Sequence, residues 1–170
     1  MRLFLISFLC ICGVSLYAQP NDDYTKGILD FEILNLEGES FTHDQLTTDD
    51  YKLLMYFNPS CSSCQKAFKD VNTIADKCKE LPVHFYPISL GNKHETIDFL
   101  KKYAPDFKDQ VEMTVLREKN YQFSDLYEVN AYPTFFLYKP DNSFVKSYMG
   151  YSKATDFLKY FDKKQLDENE

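Results

Sequence analysis

Two cysteines carry the most reactive chemistry in this chain. Cys61-Ser62-Ser63-Cys64 sets two residues between a pair of thiols. If Cys61 starts a helix, the two sulfurs can reach disulfide distance across its first turn. Free backbone N–H groups and the helix dipole favour negative charge there, so Cys61 is the expected nucleophile. The thiolate, not the thiol, attacks a disulfide. Cys64 lies about one turn further in and is expected to be more buried. It would resolve a mixed disulfide by attacking Cys61. The implied chemistry is thiol–disulfide exchange, which calls for no cofactor.

Plainer readings compete with this one. A structural Cys61–Cys64 bridge would close only a tiny loop and constrain little. A zinc site needs more ligands, and His43, His84 and His94 lack ligand spacing, so no metal is expected. Cys78 falls on the inner face of a helix and reads as a core thiol. A Pro-x-x-x-Thr/Ser-x-x-Cys pattern starting at Pro59 would put its cysteine at Lys66, so that chemistry fails on spacing.

The pair needs a strand before it and a helix after it, and the pattern supplies both. Tyr51 to Phe57 is almost continuously apolar, as in a strand buried on both faces. From Ser60 to about Lys79, apolar residues recur at spacings of three and four, which predicts one amphipathic helix. Val83 to Leu90 reads as the next strand. Asn92 is a helix cap, with Ile97, Phe99 and Leu100 facing inward and Pro105 closing the helix. Val111 to Leu116 reads as extended and Glu118 to Glu128 as a helix. Thr134 to Tyr138 and Ser143 to Tyr148 form a hairpin around Lys139-Pro140-Asp141-Asn142. Ser152 is expected to cap a last helix, with Phe157, Leu158 and Phe161 facing inward. Before all of these, Ile28 to Leu36 and Ser40 to Thr42 flank a Glu37-Gly38-Glu39 turn. Alternating strands and helices imply right-handed parallel crossovers, and the closing hairpin adds antiparallel strands.

Composition limits the function. The 170 residues suit one domain. The net charge of -7 and the lack of a basic stripe argue against nucleic acid. Residues 1–18 have a positive start, a short apolar run and Ala18 at their end, which is the layout of a secretory signal peptide. Export follows, into the periplasm if the source is bacterial. An uncleaved segment would instead be a membrane anchor, although the run is short for a span. Removing it discards Cys10 and Cys12 and leaves Cys61, Cys64 and Cys78 for an oxidising compartment. Residues 19–27 read as a flexible lead-in, 28–165 as the domain and 166–170 as an acidic tail.

The motifs resemble a known family. Phe57-Asn58-Pro59-Ser60-Cys61-Ser62-Ser63-Cys64 after an apolar strand, with Tyr132-Pro133-Thr134-Phe135-Phe136 downstream and Gly150 beyond a hairpin, resembles the thioredoxin fold. The stretch from Asp30-Phe31-Glu32-Ile33 to Gly38-Glu39-Ser40-Phe41 is similar to the added hairpin of exported TlpA/ResA-like thiol–disulfide oxidoreductases. The resemblance implies an α/β thioredoxin-like fold: a central mixed sheet flanked by helices, plus an N-terminal β-hairpin. It implies a cis Pro133 against the disulfide, with the Tyr132 backbone free to pair with a substrate strand. The Tyr132 side chain would help set specificity. Ser60, Ser62 and Ser63 complete the substrate-facing set. The implied partners are protein disulfides and a membrane thiol–disulfide electron donor, with reductase or isomerase action ahead of oxidase.

The departures from that family also matter. Ser60 stands where a Trp is usual. Met55 and Ala67 stand where acids assist proton transfer from the resolving thiol. They motivate a second reading, a non-catalytic peptide- or metal-binding module on the same scaffold.

Overall fold

The computed structural model describes the backbone of residues 23–167, and the side chains of 23–151 and 153–162. The expected signal peptide, residues 1–18, lies outside the described residues.

Strand β1 (Glu32–Asn35) turns at Gly38 into β2 (Ser40–Thr42). Gly38 has φ 87°, a left-handed conformation that suits glycine. Strand β3 (Tyr51–Phe57) is buried at all seven positions, which explains its unbroken apolar run. Lys52 is the exception in composition. Its stem lies in the sheet while Nζ donates to the carbonyls of Lys139 at 3.1 Å and Pro140 at 2.8 Å. Strands β4 (Val83–Ser89), β5 (Leu116–Arg117), β6 (Thr134–Tyr138) and β7 (Phe144–Met149) complete a seven-stranded sheet. The order is β2-β1-β5-β4-β3-β6-β7. β3 pairs parallel with β4 and antiparallel with β6, so the sheet is mixed, as expected.

Alternation along β3 divides the core in two. Leu53, Met55 and Phe57 face one cluster, with Phe68, Phe99 and Phe135. Leu54 and Tyr56 face the other, with Phe31, Phe123 and Phe136. Tyr24, read from sequence as part of a loose lead-in, packs edge-on against Phe136 and Phe144 at 5.3 and 5.6 Å.

The helices depart from the sequence reading in four places. The helix expected from Ser60 to Lys79 is two: α1 (Ser62–Asn72) and α2 (Ala75–Cys78). Asn72 spends its amide outside the helix, donating to Asp106 and accepting from Phe107 N, while Thr73 Oγ1 donates to the Asp70 carbonyl. The Thr73 bond competes with continuation of the ladder. Asn92 does cap α3 (Lys93–Tyr103), and it forms a capping box with Glu95. Pro105, however, begins a further helix, α4 (Pro105–Gln110), at a position where the missing N–H costs nothing. The helix expected over Glu118–Glu128 shrinks to α5 (Gln122–Leu126), because Asn120 and Tyr121 take left-handed φ values of 63° and 58°. The final helix α6 (Leu158–Asp167) starts after a 3-10 turn at Tyr151–Lys153, with Phe157 and Phe161 buried and Leu158 only half-buried. The Ser152 side chain, expected to cap it, lies outside the described residues. Among the described residues no helix is long and apolar enough to cross a membrane.

Candidate active site

One end of the sheet collects the chemistry. β3 and β4 are parallel and both finish there, and the Leu90 N–H donates to the Phe57 carbonyl at 3.0 Å. Because β6 runs antiparallel to β3, its first residues start at the same end, with Thr134 opposite Tyr56. The Cys61–Cys64 loop and the Tyr132–Pro133 loop therefore lie side by side. The end of β7 joins them, where Gly150 N donates to the Pro133 carbonyl at 2.8 Å.

Asn58 shapes the cysteine loop. Its side chain accepts from Ser60 N at 2.9 Å and its carbonyl from Cys61 N at 3.0 Å. Cys61 is the N-cap of α1, with extended φ, ψ of -81° and 120° and no side-chain cap bond. It is half-buried, whereas Cys64 is wholly buried, and both are free thiols. Burial pushes the Cys64 thiol up to about 12; the Asn58 backbone opposes this and the neighbouring Cys61 thiol adds to it. Near neutral pH Cys64 is thus a protonated, sheltered thiol, while Cys61 is accessible at a helix start. The asymmetry expected from spacing is present in exposure. Cys78 is buried in the core, and burial alone raises it to about 12, which suits a structural thiol.

The loop sits tightly against α3. A Cβ on Gly91 would meet Pro59 Cγ at 2.7 Å and Glu95 Cβ at 3.2 Å. Gly91→Ala must therefore displace Pro59, two residues before Cys61. We expect a stability loss of about 1–3 kcal/mol, read from the denaturation midpoint, together with slower modification of Cys61 by iodoacetamide.

Tyr132–Pro133 is a cis peptide, as the resemblance implied. Pro133 is buried. Tyr132 is partly buried and packs against both core clusters, the one containing Cys64 and the one containing Tyr56. Its ring stacks on Tyr56 with centroids 5.8 Å apart and planes 29° apart. Ser60 and Ser62 are exposed and Ser63 is half-buried. Met55 and Ala67 are buried and apolar, so no acid stands at either place.

Sequence reasoning missed several neighbours. Met149 and Tyr151, on either side of Gly150, are exposed, and with Tyr121 they make up the large exposed apolar side chains among the described residues. Glu118 was read as a helix start, but its side chain is buried at 8% exposure and accepts hydrogen bonds from Tyr56 and Ser124. The signal that points to it is an acid directly after a strand on the same sheet end as the cysteines. That signal appears only once Leu116–Arg117 is known to be a strand.

A family model for a thioredoxin-like domain matches residues 44–165. The chain belongs to the thioredoxin-like family. No curated protein sequence is significantly similar. Among solved structures, the thioredoxin-like domain is similar to a Chlorobium tepidum protein assigned as a thiol:disulfide interchange protein DsbE. Identity is 19%, TM-score 0.64, and the match covers 81% of this chain and 94% of that one. It is similar to a secreted Mycobacterium tuberculosis disulfide oxidoreductase homologous to DsbE, with 20% identity, TM-score 0.56, and coverage of 70% and 82%. It also matches StoA from Bacillus subtilis, with 17% identity, TM-score 0.56, and coverage of 78% and 96%. At these identities the likeness is one of fold. The thioredoxin-like domain therefore has its mixed sheet, flanking helices and N-terminal strands in common with this group.

Proposed function

We propose that the protein is an exported thiol–disulfide oxidoreductase acting on protein disulfides through Cys61 and Cys64. The observation that carries this reading is the asymmetric pair: an accessible thiol capping α1 and a buried thiol one turn inside, beside a cis Tyr132–Pro133 bond. In the forward step the Cys61 thiolate attacks a substrate disulfide. A Cys61–substrate disulfide forms and one substrate thiolate leaves. Cys64 then loses its proton and attacks the Cys61 sulfur. The Cys61–Cys64 disulfide forms, the second substrate thiolate leaves, and the substrate has gained two electrons. Tyr132 and Pro133 present the backbone that an extended substrate meets, and Ser60, Ser62 and Ser63 border the nucleophile.

Reductase or isomerase action is favoured over oxidase, with a membrane thiol–disulfide donor restoring the dithiol. Export rests on the signal-peptide layout of residues 1–18, and membrane anchorage follows if that segment is retained. Dithiothreitol-driven insulin reduction is the direct test. Wild type is expected to accelerate it, and Cys61→Ser to fall to the uncatalysed rate. Equal rates for the two proteins would leave the peptide-binding module as the reading.

A further inference from the structure

The acid missing from positions 55 and 67 has a counterpart on the other face of the sheet. Glu118 follows β5 at the same sheet end as Cys61, and its N–H donates to the Ser89 carbonyl at 2.8 Å, which fixes its backbone to β4. The side chain turns inward. One carboxylate oxygen accepts from Ser124 N at 2.9 Å and the other from the Tyr56 hydroxyl. Tyr56 lies between two rings. It stacks on Phe123 at 5.5 Å, which holds it from within the core, and on Tyr132 at 5.8 Å, which also packs against the cluster containing Cys64. A buried carboxylate, a buried phenol and the residue before Pro133 are thus joined in one line.

A carboxyl is costly to bury, so its presence here needs a reason. Capping α5 accounts for the Ser124 bond but not for the Tyr56 bond. Burial raises both groups above their ordinary values, while the bond from Tyr56 pulls Glu118 back down. Burial raises Tyr132 above its ordinary value, and the Glu118 charge and Cys64 add to that.

We propose that Glu118 is a positioning residue for the thiol site, acting through the Tyr56 hydroxyl to fix the Tyr132 ring beside Pro133. The line of contact reaches the surface that a protein disulfide must meet, so the effect falls on substrate engagement rather than on sulfur chemistry. This rests on the oxidoreductase reading above.

The test compares wild type with Glu118→Ala, Glu118→Gln and Tyr56→Phe. The glutamine can still bond to the Tyr56 hydroxyl; the other two variants cut the tether. In insulin reduction, Glu118→Ala and Tyr56→Phe are expected to raise KM about fivefold with kcat within about twofold, and Glu118→Gln to stay near wild type. With a small aromatic disulfide as substrate, all four should react alike. Unchanged KM in both tether-cutting variants, or an equal loss of kcat in all three, overturns the proposal. If Glu118→Ala fails to fold, Tyr56→Phe decides, because it removes only one oxygen and keeps the ring. A readout independent of turnover separates this claim from the oxidoreductase reading. Proton cross-relaxation between the Tyr56 and Tyr132 rings should be present in wild type and Glu118→Gln and absent in Glu118→Ala. Its persistence in Glu118→Ala overturns the positioning role even where no protein reduces insulin. Its loss supports that role even then.

Discussion

Replacing Cys64 with serine is expected to convert exchange into capture. The mixed disulfide at Cys61 has one internal exit, attack by the thiol one turn deeper in α1. Serine has no sulfur with which to attack, so the adduct must wait for an outside thiol. Incubation with oxidised insulin, followed by a non-reducing gel, should show an adduct with Cys64→Ser that dithiothreitol releases. Cys61→Ser should show none. An adduct of equal amount with Cys61→Ser would mean that another thiol attacks, and the assignment of roles would fall.

The burial of Cys64 sharpens that expectation into a pH dependence. Its thiol is pushed up to about 12, mainly by burial. Resolution needs the thiolate, and below the pKa the thiolate fraction rises about tenfold per pH unit. In wild type the mixed disulfide should therefore be longest-lived at low pH and shorten as pH rises across the neutral range. With Cys64→Ser and no outside thiol added, the adduct should persist at every pH in this range. Neither Met55 nor Ala67 offers a carboxylate that would flatten the slope by taking the proton.

Much of this site was legible in the sequence because its signals are local. The Cys61–Cys64 spacing, the unbroken apolar run of β3 and the Asn92 cap each depend on residues close together in the chain. The mixed sheet followed from alternating strands and helices together with the closing hairpin. The helix ends were harder, because distant partners set them. The long helix ends at Asn72, whose side chain bonds to Asp106 and Phe107, and a pattern of apolar spacing cannot register such partners. Glu118 was hidden for the same reason. An acid early in a helical pattern reads as a first-turn charge, and its burial depends on Tyr56, sixty-two residues earlier. The order of cost is physical: periodicity reports which face is apolar, while a buried polar pair is chosen by tertiary contact alone.

Phe68→Ala is expected to cost about 3–5 kcal/mol, the range for deleting a fully buried aromatic ring. Phe68 is wholly buried, one turn beyond Cys64 on α1. Its ring meets Phe57 at 4.7 Å, Phe99 at 5.1 Å and Phe135 at 6.4 Å, so it joins α1 to β3, α3 and β6 at once. Those three partners have few ways to close the gap. Phe57 and Phe135 are fixed on the paired strands β3 and β6, and Phe99 is held on α3 against Phe57 and Tyr103. A cavity should therefore persist, which places the loss toward the upper end of the range. For a domain of this size that is a drop in Tm of about 10–20 °C. Phe68→Leu, which refills most of the space, should lose much less. The same packing sets where α1 begins, and hence where Cys61 sits relative to Pro133. At a temperature where both variants remain folded, Phe68→Ala should thus slow insulin reduction more than Phe68→Leu. A Phe68→Ala protein with wild-type midpoint and rate would show that the cysteine helix is held by something other than this aromatic cluster.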